Sequence, residues 1–289
     1  MMQRTWADRL AVGMALLFAV DRLLKLAAVA HFFRRPPPAP PPEWPTVALL
    51  QPVSRAAHDL RGTLATRAAL RYPALVKHIL ICDAADDVSQ AIGQSLMAAH
   101  PDWEATLLLV ASDDGLIASK IDKIMAALPH ATADILCCVD DDIALRPDAL
   151  RVLVSHLLQP GAGAVFGLAC YTNWRTLPSS LLSGFVNANA LLSYVPLSYL
   201  TAPFTITGHC FALRRDVFDT IGGFSGMAQR IDDDHELARR IRSHGLRCVQ
   251  TPLIYDVDNY LESMASYRAQ FKRWFVIPRE TMVPWLTPR

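Results

Sequence analysis

Almost no net charge remains on this 289-residue chain: 28 Lys and Arg stand against 27 Asp and Glu, leaving +1. That balance offers no electrostatic footprint for DNA or RNA, so no nucleic-acid partner is expected. No C-x-x-C pair occurs among the cysteines at 82, 137, 138, 170, 210 and 248. A small disulfide-stapled secreted frame is thereby excluded, and reduced core cysteines in a cytosol-facing protein are expected. There is no internal repeat. No small-x-small site follows the apolar N-terminal run, which argues against a cleaved signal peptide. From Thr176 to Leu213 there is no Asp, Glu, Lys or Arg at all. Pro178, Pro196 and Pro203 break that stretch, so a single spanning helix is not expected there. It reads either as a core helix with a loop or as an apolar wall that meets lipid.

What is present starts with Ile135-Leu136-Cys137-Cys138-Val139-Asp140-Asp141-Asp142. A short apolar run suits a strand covered on both faces. Its carboxyl end, where open α/β sheets place their ligand crevice, carries three adjacent carboxylates. Alternation along an extended chain sends Asp140 and Asp142 one way and Asp141 the other. The i, i+2 pair can share one divalent cation, since hard cations take oxygen ligands. A solvated acidic turn before the next helix is the other reading.

The apolar fraction is 52%, enough for a sizeable core. Residues 1–35 read as an N-terminal anchor helix, apolar from Leu10 to Phe33 and interrupted by Asp21, Arg22 and Lys25. It is expected to span poorly, to lie in the membrane interface, or to pack on the domain. Arg34 and Arg35 favour a cytoplasmic position for the rest of the chain if the helix spans. Residues 36–45 are a stiff proline-rich linker, and residues 46–289 form the globular domain. Strands are expected at Val47–Val53, His78–Cys82, Ala105–Ala111 and Ile135–Val139. Helices are expected at Asp59–Leu70, Val88–Ala99, Lys120–Leu128 and Pro147–Leu158. This alternation predicts an α/β fold, a mostly parallel Rossmann-like sheet with helices on both faces. Strands at Gly163–Tyr171 and Leu246–Tyr255 follow, with a helix Leu237–Ser243 opened by Asp232-Asp233-Asp234-His235-Glu236. Helix capping accounts for one or two of those acids.

Four features now stand in order: Asp83 ending the second strand, Asp140-Asp141-Asp142 ending the fourth, Asp234 behind Ile221-Gly222-Gly223-Phe224, and Gln270-x-x-Arg273-Trp274. This series resembles the D, D-x-D, D, Q-x-x-R-W pattern of family-2-like inverting glycosyltransferases. Thr207-Gly208-His209-Cys210-Phe211 and Asp234-His235-Glu236-Leu237-Ala238 resemble the ceramide glucosyltransferase branch and its bacterial lipid-glycosylating relatives. The resemblance covers roughly residues 46 to 276. It implies a GT-A fold, a nucleotide-sugar donor (a UDP-sugar), a lipid acceptor at a membrane surface, and Mn²⁺ or Mg²⁺. By position it implies that Asp83 contacts the nucleoside and that Asp140 and Asp142 hold the donor ribose and the metal. Lys120, in Ser119-Lys120-Ile121-Asp122-Lys123, would approach the diphosphate. Asp234 would be the general base, and Gln270, Arg273 and Trp274 would line the diphosphate and the acceptor mouth.

The chemistry is coherent on its own terms. A departing diphosphate needs a cation, and an acceptor hydroxyl needs a carboxylate within hydrogen-bond reach. One base without a second nucleophile implies a single displacement with inversion. A processive polysaccharide synthase and a non-catalytic nucleotide-sugar-binding relative are the competing readings.

Overall fold

A computed structural model describes residues 5–54, 58–111, 119–228, 230 and 232–274. The strands are β1 (Val47–Pro52), β2 (Val76–Asp83), β3 (Ala105–Val110), β4 (Ile135–Val139), β5 (Ile143–Ala144), β6 (Ala162–Tyr171), β7 (Cys210–Arg214) and β8 (Arg247–Val257). They form one sheet in the order β3-β2-β1-β4-β7-β6-β8-β5. Only β7 and β5 run against the rest. The fold is mixed α/β with a mostly parallel sheet, as the alternation of elements predicts.

Every residue of β1 and β4 is buried, because helices cover both faces. On one face Ala48, Leu50, Leu136 and Cys138 pack under α4 (Ser119–Ala127), α8 (Arg215–Thr220) and α9 (Asp233–Ser243). On the other, Val47, Leu49, Cys137 and Val139 pack under α5 (Ala149–Leu157) and α6 (Leu177–Asn189). Leu80 and Cys82 continue that second face beneath α2 (Leu60–Ala68) and α3 (Asp87–Ala99). All six cysteines are free thiols, and only Cys170 is not buried.

Several boundaries shift by a residue or two from expectation, and the start of α9 shifts most. The α9 helix begins at Asp233, four residues earlier than its apolar pattern suggests. Acids in a first turn complement the helix dipole, so they extend the helix instead of merely preceding it. Asp232 is its N-cap residue but makes no capping hydrogen bond. Both its carboxylate oxygens accept from Arg230, at 3.0 and 2.8 Å. Pro147 likewise lies just ahead of α5, whose N-cap is Asp148.

The first helix, α1 (Trp6–Arg34), opens with a capping box between Thr5 and Asp8. Its apolar side chains lie all round the axis and not along one side, so it is not amphipathic. Leu17, Leu24 and Trp6 are 72%, 66% and 79% exposed, values that belong to a surface awaiting a cover. Asp21 pairs with both Arg22 and Lys25, which leaves a single net positive charge in the polar interruption. The end of α1 docks: Phe32 is buried against Leu168, Ala190 and Val195, and His31 Nδ1 meets Tyr199 Oη at 2.9 Å. Among the described residues no helix is long and apolar enough to cross a membrane. Tyr199 belongs to the uncharged stretch, which forms α6, a π turn (Ala190–Tyr194) and α7 (Val195–Leu197). That stretch is part core and part surface: Leu182 is buried, whereas Leu191, Leu192, Leu197 and Leu200 are exposed.

Candidate active site

The strands β1, β2 and β4 are parallel neighbours, so Asp83 and Asp140 emerge at one end of the sheet. They are two strand spacings apart, roughly 10 Å. Antiparallel β7 starts at that same end, and Asp140 N–H donates to the His209 carbonyl at 2.8 Å. The residues before β7, Gly208 and His209, are thereby brought against the carboxylate loop.

A continuous polar chain runs through the site. Lys120 Nζ lies 2.5 Å from Asp140 Oδ1 as an ion pair, off the hydrogen-bonding direction. The same ammonium donates to the Gly208 carbonyl at 2.6 Å. Gly208 N–H donates to Asp234 Oδ2 at 3.0 Å. The sequence-predicted residues Lys120, Asp140 and Asp234 are therefore linked through one glycine. Burial works against the Lys120 ammonium, yet Asp140, Asp234 and Asp233 around it lift its pKa above the ordinary lysine value. Burial first, and then repulsion from Asp233 and Asp140, push Asp234 up to about 7. A carboxylate with that pKa is a competent base near neutrality.

Asp141 turns away from its neighbours, as alternation predicts. Its Oδ2 accepts from Ser54 N–H at 2.5 Å and Ser54 Oγ–H at 3.0 Å. Burial raises it to about 6. It anchors the loop to the end of β1 and leaves Asp140 and Asp142 to face the crevice.

For a divalent cation the donor set is Asp140 and Asp142. Asp142 Oδ1 is buried without a hydrogen-bond partner among the described residues, and burial raises its pKa. His209, beside Asp142, has its own Nδ1 buried and unpartnered. No group of three or more His, Cys, Asp or Glu among the described residues is gathered to hold a metal alone. Mg²⁺ and Mn²⁺ do not require one, because such ions commonly take one or two carboxylates with substrate phosphates and water. The orphaned Asp142 oxygen fits that pattern.

The Gln270, Arg273 and Trp274 side chains sit on the final described helix, α10, over residues 264–274. Arg273 donates to Gln270 Oε1 at 3.2 Å. Trp274 lies beside Phe271 and Phe185, with ring centroids 5.8 and 6.4 Å away. It lines a cavity of about 450 Å³ with Tyr171, Phe185, Tyr194, His209 and Asp234. A second cavity of about 250 Å³, walled by Phe166, Tyr194, Leu197, Phe204 and Ile206, also ends on His209 and Asp234. Both are mainly apolar, and they meet at the carboxylate with the pKa near neutrality. Asp83 lies apart from this junction, where its Oδ1 accepts from Ala85 N–H at 2.8 Å.

Several residues that organise the site carry no sequence signal. Arg67, 1% exposed, donates from Nη2 to the Asp140 carbonyl at 2.7 Å and from Nη1 to the Ile143 carbonyl at 2.5 Å. Thr63 Oγ–H donates to the Asp141 carbonyl at 2.5 Å, and Lys123 Nζ to the Val53 carbonyl at 2.8 Å. The carbonyls of the carboxylate loop are thus held from beneath by α2. A basic residue in a short helix that already carries Arg61, Thr63 and Thr66 reads as surface, and only the three-dimensional contact reveals Arg67. Gly208 and His209 belong to the Thr207-Gly208-His209-Cys210-Phe211 segment, whose sequence by itself assigns them no role.

Residues 11–287 match the family described as Glycosyl transferase family 21, and the chain belongs to that family. It is 27% identical over 178 residues to the O-antigen biosynthesis protein RfbC of Myxococcus xanthus, covering 56% of this chain and 14% of that protein. It is 23% identical over 237 residues to the probable glycosyltransferase YdaM of Bacillus subtilis (strain 168), covering 80% and 55%. The chain thus spans about half or less of these relatives. Among solved structures, the mannosyltransferase PcManGT from Pyrobaculum calidifontis, in complex with GDP-Man and Mn²⁺, shares the fold. The TM-score is 0.64 at 23% identity, over 91% of this chain and 71% of that one.

A Cβ at Gly208 would lie 2.2 Å from Asp234 Oδ1. Gly208→Ala is therefore expected to displace the Asp234 carboxylate and lower turnover at least tenfold, with the cooperative unfolding transition retained. Transfer kinetics with a denaturation curve check this, and unchanged turnover would contradict it.

Proposed function

We propose that the protein transfers a sugar from a nucleotide-sugar to the hydroxyl of a membrane lipid, with inversion, in the manner of ceramide glucosyltransferases. One observation carries the reading: Asp234 stands where two apolar cavities meet, linked through Gly208 and Lys120 to the first of the paired carboxylates. The acceptor side is thus apolar up to the base, and the donor side is polar. A divalent ion on Asp140 and Asp142 would neutralise charge gathering on the departing diphosphate.

The chain's own residues do the rest. Asp83 contacts the nucleoside at the end of β2. Lys120 leaves or shares Asp140 to reach the diphosphate, for which its flexible stem suits it. Gln270 and Arg273 approach the same phosphates, and Trp274 walls the acceptor mouth. Asp234, oriented by the Gly208 N–H, takes the proton from the acceptor oxygen as that oxygen attacks the anomeric carbon. A UDP-sugar is the donor on the family resemblance. The GDP-Man held by PcManGT supports a GDP-sugar as the second reading.

Membrane attachment is supported by the exposed apolar girth of α1 and its contact with Tyr199. Leu191, Leu197 and Leu200 extend that surface toward the cavity rimmed by Tyr194 and Leu197. The catalytic domain then sits on the cytoplasmic leaflet with its acceptor cavity facing lipid.

Separating donor binding from transfer tests the chemistry. Asp142→Asn should abolish metal-dependent donor binding. Asp234→Asn should keep donor affinity and lose transfer to extracted lipid by at least about a hundredfold. UDP- and GDP-sugars run in parallel decide the donor. Full transfer by the Asp234 variant would end the assignment. The membrane reading is tested by vesicle co-sedimentation of a Leu17→Glu, Leu24→Glu double variant, which leaves Phe32 docked. It should shift to the supernatant, and equal sedimentation would refute α1 as the attachment.

A further inference from the structure

The helix α6 is built inside out. Successive residues of a helix turn by about 100°, which places Leu177, Leu181, Phe185 and Ala188 within an arc of about 80°. All four are exposed, Leu177 by 67%. The opposite pole carries Ser179 and Ser183, both fully buried. A helix on a water-facing surface does the reverse and turns its polar side outward.

The buried polar groups are satisfied. Ser179 Oγ accepts from Leu261 N–H at 2.8 Å, and Ser183 Oγ–H donates to the Asn173 carbonyl at 2.8 Å. Asn187 exchanges two hydrogen bonds with the Tyr171 backbone, at 2.8 and 3.0 Å. These bonds fix the rotation of α6 about its axis. Turning the apolar stripe inward would leave them unmade, and a buried donor or acceptor without a partner is costly.

The surroundings of the stripe say what covers it. No Asp, Glu, Lys or Arg occurs from Thr176 to Leu213. Protein interfaces close their apolar centre with a polar rim, and α6 offers no charge to such a rim. Trp174, 58% exposed, and Arg175, 3.6 Å from Asp258, stand just ahead of the helix. Tryptophan favours the headgroup level of a bilayer, and an arginine stem can lie along apolar surface with its charge in water. At the other end, exposed Leu191 and Leu192 continue the surface to the place where Phe32 of α1 meets Ala190 and Val195. The same helix supplies Phe185, Val186 and Asn189 to the wall of the cavity that holds Trp274 and Asp234.

We propose that α6 lies in the bilayer interface, with Leu177, Leu181 and Phe185 among the acyl chains, as a second lipid contact besides α1. This rests on the membrane reading given above and adds that the lipid surface reaches the cavity wall itself. An acceptor then enters past Phe185 without crossing water. A tether at α1 alone would let the domain swing, whereas contacts at α1 and α6 together fix which way the cavity faces.

An environment-sensitive nitrobenzoxadiazole dye on the full chain tests this, with α1 left intact. The dye is placed at Leu181→Cys on α6 and, as a control, at Val88→Cys on α3, whose side chain is exposed at the far edge of the sheet. Cys170→Ser removes the one native cysteine that is not buried. The probe is a vesicle of phosphatidylcholine and phosphatidylglycerol in equal amounts, with or without bromine on the acyl chains. Interfacial helices sit roughly 5–10 Å into the acyl boundary, so the dye at 181 should shift to the blue and lose at least about half its emission to bromine. The dye at 88 should do neither. Leu177→Cys carries the test if the Leu181 variant does not fold. Co-sedimentation of the labelled chain without bromine quenching at 181 would leave α1 as the tether and overturn the α6 contact alone. Absence of co-sedimentation would overturn the membrane reading and this proposal together. Dimerisation in sedimentation velocity without vesicles, abolished by Leu177→Glu, would give the stripe to a second copy and overturn it as well.

Discussion

Crowding of carboxylates around a single ammonium is the constraint on which the rest of the site depends. Asp140, Asp233 and Asp234 all act on Lys120, and Asp141 and Asp142 repel Asp140 from the same loop. Like charges at such range in a half-buried crevice repel strongly, and the molecule answers in three ways. Asp141 is turned onto Ser54. Arg67 is buried beneath the loop, where it binds carbonyls and faces the charges of Asp140, Asp141 and Asp142. Asp234 is pushed toward its protonated form. What stays unanswered is the Asp142 oxygen, the place that the proposed reading gives to a cation carrying a diphosphate.

The same arrangement places reactivity at the boundary between polar and apolar space. On the carboxylate side, the ends of β2 and β4 supply charge through Asp83 and Asp140. On the far side of Asp234 the walls are Phe166, Phe204, Tyr194 and Phe185, and they lead toward the exposed leucines of residues 191–200. The docking of α1 on that segment through Phe32 and Tyr199 joins the apolar helix to the mouth of the cavities. On the proposed membrane reading, an anchor that touches the cavity mouth would orient the domain as well as tether it.

Much of this was legible in the residues. Apolar runs ending in acids located β2 and β4 and the end of the sheet where their carboxylates emerge, because burial on both faces and strand polarity leave few alternatives. The alternation of Asp140, Asp141 and Asp142 was readable from strand geometry, whereas the anchoring of Asp141 on Ser54 was not. The partners were not readable. Arg67 looks like a surface residue of α2 until β5 and the Asp140 loop close over it. The contact between Gly208 and Asp234 joins residues 26 positions apart, and no local pattern encodes it. Asp232 looked like a helix cap, but Arg230 two residues earlier takes its carboxylate. The all-round apolar surface of α1 was blurred by Asp21, Arg22 and Lys25, whose mutual pairing only the helix reveals.

The central claim is that this crowding makes Asp234 the base, and the pH dependence of kcat/KM tests it most directly. That ratio reports the free enzyme, whose Asp234 titrates at about 7. The base acts when ionised, so a raised pKa moves the rise in activity upward in pH. The account predicts that kcat/KM for sugar transfer climbs between about pH 6 and 8, with its midpoint near 7. A profile already level above about pH 5, as for a carboxylate of ordinary pKa, would contradict it.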